Sequence, residues 1–367
     1  MNKKIKFLNL KQINLFFEEE LLDAFKEVLH SGWLVLGDNV KKFEENYAKF
    51  NETKYCIGVS NGLDALILSL KSLDIKNGDE VIVPSNTYIA TWLAVSIVGA
   101  TPVPVEPDIE TYNINPSLIE EKISNKTKAI IPVNLYGQAA KLEEICKIAE
   151  KHGIKVIEDN AQAQGAMYKG KKTGSWGHVN ATSFYPGKNL GALGDAGSIT
   201  TNEIKLQEKL VKLRNYGSTK KYYHDIIGHN CRLDELQAAF LNIKLKRLEF
   251  FNNKRIQIAN VYYDFLKNTG DIILPKIDEN ATSVYHQFII RTKLRDQLLN
   301  YLSNHGIETM IHYPVPSHLQ KAYKRNYKKG DFPIAEEISN TCLSLPINPF
   351  LKEDDLEYII KKIKSFY

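Results

Sequence analysis

Residues Ser183–Gly197 read SFYPGKNLGALGDAG. Lys188 stands there between a β-type run and a glycine-rich turn, and three jobs are open to it. A phosphate clamp of the GxxxxGK[ST] kind needs a glycine at 182 and a hydroxyl residue at 189. The chain has Thr182 and Asn189 instead. Gly187, Gly191, Gly194 and Gly197 also miss the GxGxxG spacing. A solvated surface charge is the ordinary fate of a lysine, but the flanks ATSFYPG and NLGALGDAGSIT are not surface-like. Glycines permit sharp turns and close backbone approach. An amine nucleophile has to be confined and to lose its proton, which makes Lys188 a candidate Schiff-base lysine.

Working outward, the chain from Lys54 to Thr201 alternates short apolar runs with helical patterns. KYCIGVS, EVIVPS, ATPVPVEP, TKAIIPVNLYG and KVIEDN read as strands. LDALILSL, IATWLAVSIVG, LIEEKI and KLEEICKIAEKHG read as helices between them. This alternation predicts an α/β fold with a mostly parallel central sheet and helices on both faces. Ligands then bind at the carboxyl ends of the strands, where VSNG, PSNT, NLYGQ and EDNAQAQ are the most polar segments. After Glu203, RLDELQAAFLNIKLKRLEFFNNKRIQIANVYYDFL predicts one long helix linking two domains. YHQFIIRT, RDQLLNYLSNHG and ETMIHYP form a second β–α region, and FPIAEEISNTCLSL and EDDLEYIIKKIKSF are closing helices. The expected division is a large domain over 1–250, including the N-terminal segment, and a smaller C-terminal α+β domain over 251–367.

Composition narrows the function classes. The chain has 367 residues, 43% hydrophobic, with a net charge of +5. Its lysines are interspersed with acids, which argues against nucleic-acid binding. Cys56, Cys146, Cys231 and Cys342 lie far apart with no CxxC pattern, and the nine histidines show no HExxH spacing. Neither a disulfide framework nor a metal site is expected. The N-terminus has no signal-peptide pattern, and the uncharged run Val81–Val105 is broken by Pro84, Pro102 and Pro104. No membrane span is expected, and the protein is read as soluble and cytoplasmic.

A Schiff-base lysine points to pyridoxal phosphate, which makes further demands. A carboxylate has to pair with the pyridinium nitrogen, and Asp159 ends the strand KVIEDN. Glu158 is its rival, but adjacent strand residues face opposite ways. Tyr88 in PSNTYIAT is the candidate to stack on the ring. SNGLDAL opens a helix at Gly62-Leu63, a place where backbone N–H groups hold an anion. Ser183 adds a hydroxyl for the phosphate, and Gln162 a side-chain amide near the ring's phenolic oxygen.

The blocks SNGLDAL, VIVPSNTYIAT, EDNAQAQGA, SFYPGKNLGALGDAG and GHNCRLDELQAA resemble the nucleotide-sugar aminotransferases of the DegT family. The resemblance runs from about residue 7 to about residue 350. It implies the three-layer fold of pyridoxal-phosphate transferases. It also implies that Lys188 bonds the cofactor, with Asp159, Gln162, Tyr88, Gly62, Leu63 and Ser183 around it. Asn230 would reach the phosphate from the partner subunit of an obligate homodimer; read alone, it is the N-cap of the long helix. The implied reaction has two halves, with L-glutamate as amino donor and pyridoxamine phosphate between them. RNYGSTKKYYH and IHYPVPSHLQ resemble the subgroup acting at C3 of dTDP-linked keto-6-deoxyhexoses. Tyr185, Tyr223, His312 and Tyr313 are then candidate substrate contacts, and Lys220 and Lys221 candidates for the diphosphate. Amination at C4 of a dTDP- or UDP-4-keto sugar is the nearest rival, and a non-catalytic regulatory relative is a further one. A dehydrating branch of the family has histidine in place of the lysine, so Lys188 favours transamination. Asn160, Gln164 and Asn348 depart from residues common in relatives, which leaves substrate detail open.

Overall fold

Short apolar runs such as residues 56–59 and 81–84 set the first strands, and each stops where polar residues begin. The computed structural model describes residues 4–367. Helices α1 (Leu10–Leu15), α2 (Glu18–Ser31) and α3 (Asp38–Phe50) precede β1 (Tyr55–Val59). Then follow α4 (Gly62–Ser72), β2 (Glu80–Pro84), α5 (Ile89–Ile97), β3 (Thr101–Val105), β4 (Thr127–Ile130), α6 (Leu142–His152) and β5 (Lys155–Asp159). A small hairpin, β6 (Met167–Tyr168) and β7 (Lys171–Lys172), leads to β8 (Val179–Ser183) and β9 (Gly197–Thr201). Next come α7 (Ile204–Leu213), α8 (Glu235–Leu245) and α9 (Leu248–Leu266). The chain closes with β10 (Phe288–Arg291), α10 (Arg295–Asn304), α11 (Pro333–Thr341), β11 (Cys342–Leu345) and α12 (Glu353–Phe366).

Seven strands form one sheet in the order β1-β9-β8-β5-β4-β2-β3. Only β9 is reversed, running antiparallel to both β1 and β8. The carboxyl ends of β1, β2, β5 and β8 therefore share one edge, and β9 starts from that edge. The Lys188 loop joins β8 to β9 there, beside Asp159 at the end of β5.

Strand alternation feeds two cores. Val81 and Val83 of β2 pack on one face with Leu68, Leu70, Trp92, Val95 and Leu210 from α4, α5 and α7. Ile82 points the other way and packs with Ile130, Val156, Leu142, Ile145 and Ala149. A separate core joins Ile258, Tyr262 and Leu266 of α9 to Phe288, Leu298, Leu302, Leu343, Ile359 and Ile363. Ile5 belongs to this last core and bridges to Ile307. Residue 250 falls inside α9, whose first residue, Leu248, packs with α3 and α8.

Five local expectations differ from the structure. The long helix is two, α8 and α9, broken at Lys246 and Arg247, where Arg247 leaves helical geometry (φ −114°, ψ 2°). It begins at Glu235 with Asp234 as its N-cap, so Asn230 is not the cap. CLSL is strand β11 rather than helix, paired antiparallel with β10. All four of its residues are buried, which suits a covered strand better than a one-sided helix. LIEEKI forms two short 3₁₀ turns around the fully buried Ile119, being too short to sustain an α-helix. The ETMIHYP segment contributes only an isolated bridge, Met310 to Ser344. Among the described residues no helix is long and apolar enough to cross a membrane.

Candidate active site

A cavity of about 640 Å³ opens at the shared strand edge. Its lining includes Gly62, Leu63, Tyr88, Asp159, Gln162, Ser183, Tyr185, Lys188, His312 and Tyr313. Ten of the fourteen candidate site residues singled out in the sequence therefore meet in one place. The other four, Lys220, Lys221, Tyr223 and Asn230, are exposed on the 215–230 loop and do not line it.

Lys188 sits on the β8–β9 loop with its N–H donating to the Tyr185 carbonyl at 2.8 Å. Loss of hydration lowers its pKa to about 8, against the opposing pull of the Asp159 carboxylate. Asp159 is 5% exposed. It accepts from the Thr91 hydroxyl at 3.0 Å and from the Ala161 N–H at 3.1 Å. Burial pushes its pKa up, while those two donors and the Lys188 charge pull it back.

Glu158 faces away, as strand alternation requires. Its carboxylate accepts from Asn134 Nδ2 and the Gly174 N–H at 2.7 Å each and from the Trp176 N–H at 3.0 Å. Those bonds fasten a turn behind the sheet, so Asp159 alone serves the cavity.

The opposite end of the cavity is built for close approach. Gly62 opens α4, with Asn61 as N-cap accepting from the Asp64 N–H at 2.9 Å. A Cβ at Gly62 would come within 2.5 Å of Ser183 Cβ. A helix N-terminus and a serine hydroxyl thus converge with no side chain between them.

The walls are aromatic and amide. Tyr88 caps α5 and is 53% exposed, its ring centroid 5.4 Å from that of Tyr313. Gln162 Nε2 donates to the Tyr313 hydroxyl at 3.0 Å, and its Oε1 accepts from the Tyr136 N–H at 2.7 Å. His312 Nδ1 lies 2.6 Å from Ser344 Oγ. Burial and the Lys188 charge hold the His312 ring at about 4, so it is neutral near pH 7.

Sequence reading missed several lining residues. Thr91 stands one turn after Tyr88, a spacing that places both at the same end of α5. His286, Gln287, Met310 and Asp195 also line the cavity, as do Phe7, Leu8 and Leu10 from the N-terminal segment. Asp195 sits on the Lys188 loop and Met310 two residues before His312, while nothing in the spacing of the others marks them. Asn160, Gln164 and Asn348 are buried and do not line the cavity.

Comparison with known proteins adds identity to this geometry. The model of the DegT/DnrJ/EryC1/StrS aminotransferase family matches residues 16–364. The chain is 52% identical to a dTDP-3-amino-3,6-dideoxy-alpha-D-galactopyranose transaminase of Aneurinibacillus thermoaerophilus, covering 99% of both chains. It is 45% identical to the erythromycin biosynthesis sensory transduction protein EryC1 of Saccharopolyspora erythraea, covering 98% of this chain and 99% of the relative. Among solved structures, DesV of S. venezuelae, crystallised with a ketimine intermediate, superposes with a TM-score of 0.97 at 44% identity, covering 99% of this chain and 98% of DesV. With the family model spanning nearly its whole length and relatives this similar end to end, the chain belongs to the DegT/DnrJ/EryC1/StrS aminotransferase family.

Proposed function

We propose that this protein is a pyridoxal-phosphate-dependent aminotransferase that moves an amino group from L-glutamate to C3 of a dTDP-linked keto-6-deoxyhexose. The observation that carries the reading is Lys188 and Asp159 facing one cavity, with charges that act on each other. The residues present fit the cofactor. Gly62 leaves a cradle that a Cβ would fill, Ser183 adds a hydroxyl, and buried Asp159 suits a cationic ring nitrogen.

In this reading Lys188 holds the cofactor covalently and Asp159 pairs with its pyridinium nitrogen. Gln162 lies by the phenolic oxygen, Tyr88 covers the ring, and Gly62, Leu63 and Ser183 hold the phosphate. When bound, pyridoxal phosphate supplies an electron sink for the carbon that carries the amine. The Lys188 amine is the base we assign to take and return the proton at that carbon. A pKa of about 8 suits that work, since both protonation states are populated near neutral pH. His312, neutral at pH 7, serves as a hydrogen-bonding wall rather than an acid. Tyr185, His312 and Tyr313 are the assigned sugar contacts.

Tyr223 and Asn230 lie outside the cavity of their own chain. Both act from a second copy in the homodimer we propose, where Asn230 completes the phosphate site. Lys220 and Lys221 share that loop and are assigned to the diphosphate. The product would feed glycan assembly in the cytoplasm. The large domain of this reading is 1–250 and the small domain 251–367.

The C3 assignment rests on the name of the A. thermoaerophilus relative. A regulatory role is favoured by the names of EryC1 and of a 43% identical pleiotropic regulatory protein of Geobacillus stearothermophilus, but the Lys188–Asp159 pair argues for catalysis. The test is incubation of purified protein and pyridoxal phosphate with L-glutamate. Formation of 2-oxoglutarate in stoichiometric amount, lost in Lys188→Ala, is expected. A protein that releases none is not an aminotransferase for this donor.

A further inference from the structure

The loop carrying Lys188 is held from behind by side chains of α8 and α9. The Ala192 N–H donates to the Phe184 carbonyl at 2.8 Å, closing the turn in which Lys188 sits. Gly191 lies against Pro186, where a Cβ would come within 2.4 Å of the Pro186 oxygen. This turn offers three polar points backward, and each is met from α8 or α9. The Leu193 N–H donates to Gln237 Oε1 at 2.8 Å. The Gly191 carbonyl accepts from Lys244 Nζ at 2.8 Å. Asn189 Nδ2 donates to Asn252 Oδ1 at 2.9 Å and to the Val284 carbonyl at 3.0 Å.

Gln237 and Lys244 are about two turns apart on α8, and Asn252 reaches the same loop from α9, beyond the break at Lys246 and Arg247. The start of the loop is tied in as well. Asn252 Nδ2 donates to the Gln164 carbonyl at 2.9 Å, and Gln164 Nε2 donates to the Ser183 carbonyl at 2.8 Å.

Lys244 is the costly member of this seam. It is 6% exposed. Its partners are neutral: the Gly191 carbonyl and, at 2.6 Å, Asn14 Oδ1. Among the described residues no carboxylate forms an ion pair with it. A buried ammonium without a counter-ion is unfavourable, and burial alone lowers its pKa to about 8. Packing by itself would be served better by an apolar side chain of the same length. What the ammonium adds is a pair of directed bonds, joining the Lys188 loop to α1, whose Leu10 lines the cavity.

We propose that Lys244, with Gln237 and Asn252, is a positioning residue for Lys188, holding the loop so that the amine stays inside the cavity facing Asp159. The inference rests on Lys188 being the reacting amine. The titratable groups that face Lys188 are Asp159, His286 and His312, and none belongs to the seam. The seam therefore acts by placement.

The test uses the full chain free of cofactor. It is labelled with limiting acetic anhydride across a pH series, and acetylation of Lys188 is followed by peptide mass spectrometry against exposed Lys205. In the wild type the Lys188 midpoint is expected near 8. In Lys244→Met and in Asn252→Ala it is expected to rise by about one pH unit, as a loosened loop lets water reach the amine. Asn252→Ala exchanges neutral for neutral, so it separates lost placement from lost charge. A depressed wild-type midpoint that Asn252→Ala leaves unmoved overturns the seam and spares Lys188. An ordinary midpoint in the wild type overturns the reading of Lys188 itself. Should these variants not fold, Gln237→Ala at the seam's end carries the same test; a smaller rise is expected, and no rise overturns the proposal.

Discussion

A lysine amine is useful to a carbonyl only once its proton is gone, and Lys188 is placed to lose it. Its pKa is about 8 in the folded chain, against 10.5 for an ordinary lysine. Between those values the unfolded chain binds more protons at this position, so this residue's contribution to stability rises with pH. In cofactor-free protein, Lys188→Met should therefore flatten the stability slope between pH 8 and 10 relative to wild type. Denaturant melts at both pH values check it, and a steeper slope in the variant would contradict the assignment. Asp159 was separable from Glu158 in the sequence because strand alternation sends neighbours to opposite faces, and the hydrogen bonds of Glu158 behind the sheet agree. His286 was not legible. It stands before β10, far from Lys188 and Asp159 in the chain, and only tertiary packing brings it near Lys188.

At the scale of elements, the β-turn-α step at Asn61–Gly62 is as informative as the lysine. Gly62→Ala should weaken pyridoxal phosphate binding by roughly tenfold or more, about 1.4 kcal/mol, because its Cβ would meet Ser183. A fluorescence titration with the cofactor measures this, and unchanged affinity in Gly62→Ala would remove this edge from the phosphate site. The β–α alternation from Lys54 onward was readable because parallel strands buried on both faces leave continuous apolar runs. The break between α8 and α9 was not, since no proline or glycine marks Lys246-Arg247 and the apolar spacing runs through it. CLSL was misread for a related reason: four residues are too few to separate a covered strand from the end of a helix.

For the whole molecule, the site as assigned needs a second copy, and the surface offers a face for one. Leu22, Phe25 and Leu29 of α2 and the following Trp33 are exposed at helical spacing, beside the stripe that buries Leu21 and Val28. We expect twice the chain mass in solution. Phe25→Asp with Leu29→Asp should give a monomer with at least a tenfold loss of activity, as Asn230 and Tyr223 leave the neighbouring cavity. Light scattering with parallel activity assays checks this, and a fully active monomer would refute the shared site. The account as a whole is tested most directly by giving the purified protein pyridoxal phosphate, L-glutamate and, separately, a dTDP-3-keto- and a dTDP-4-keto-6-deoxyhexose. It predicts a dTDP-3-amino sugar from the first and none in Lys188→Ala; amination of the 4-keto sugar alone would contradict it.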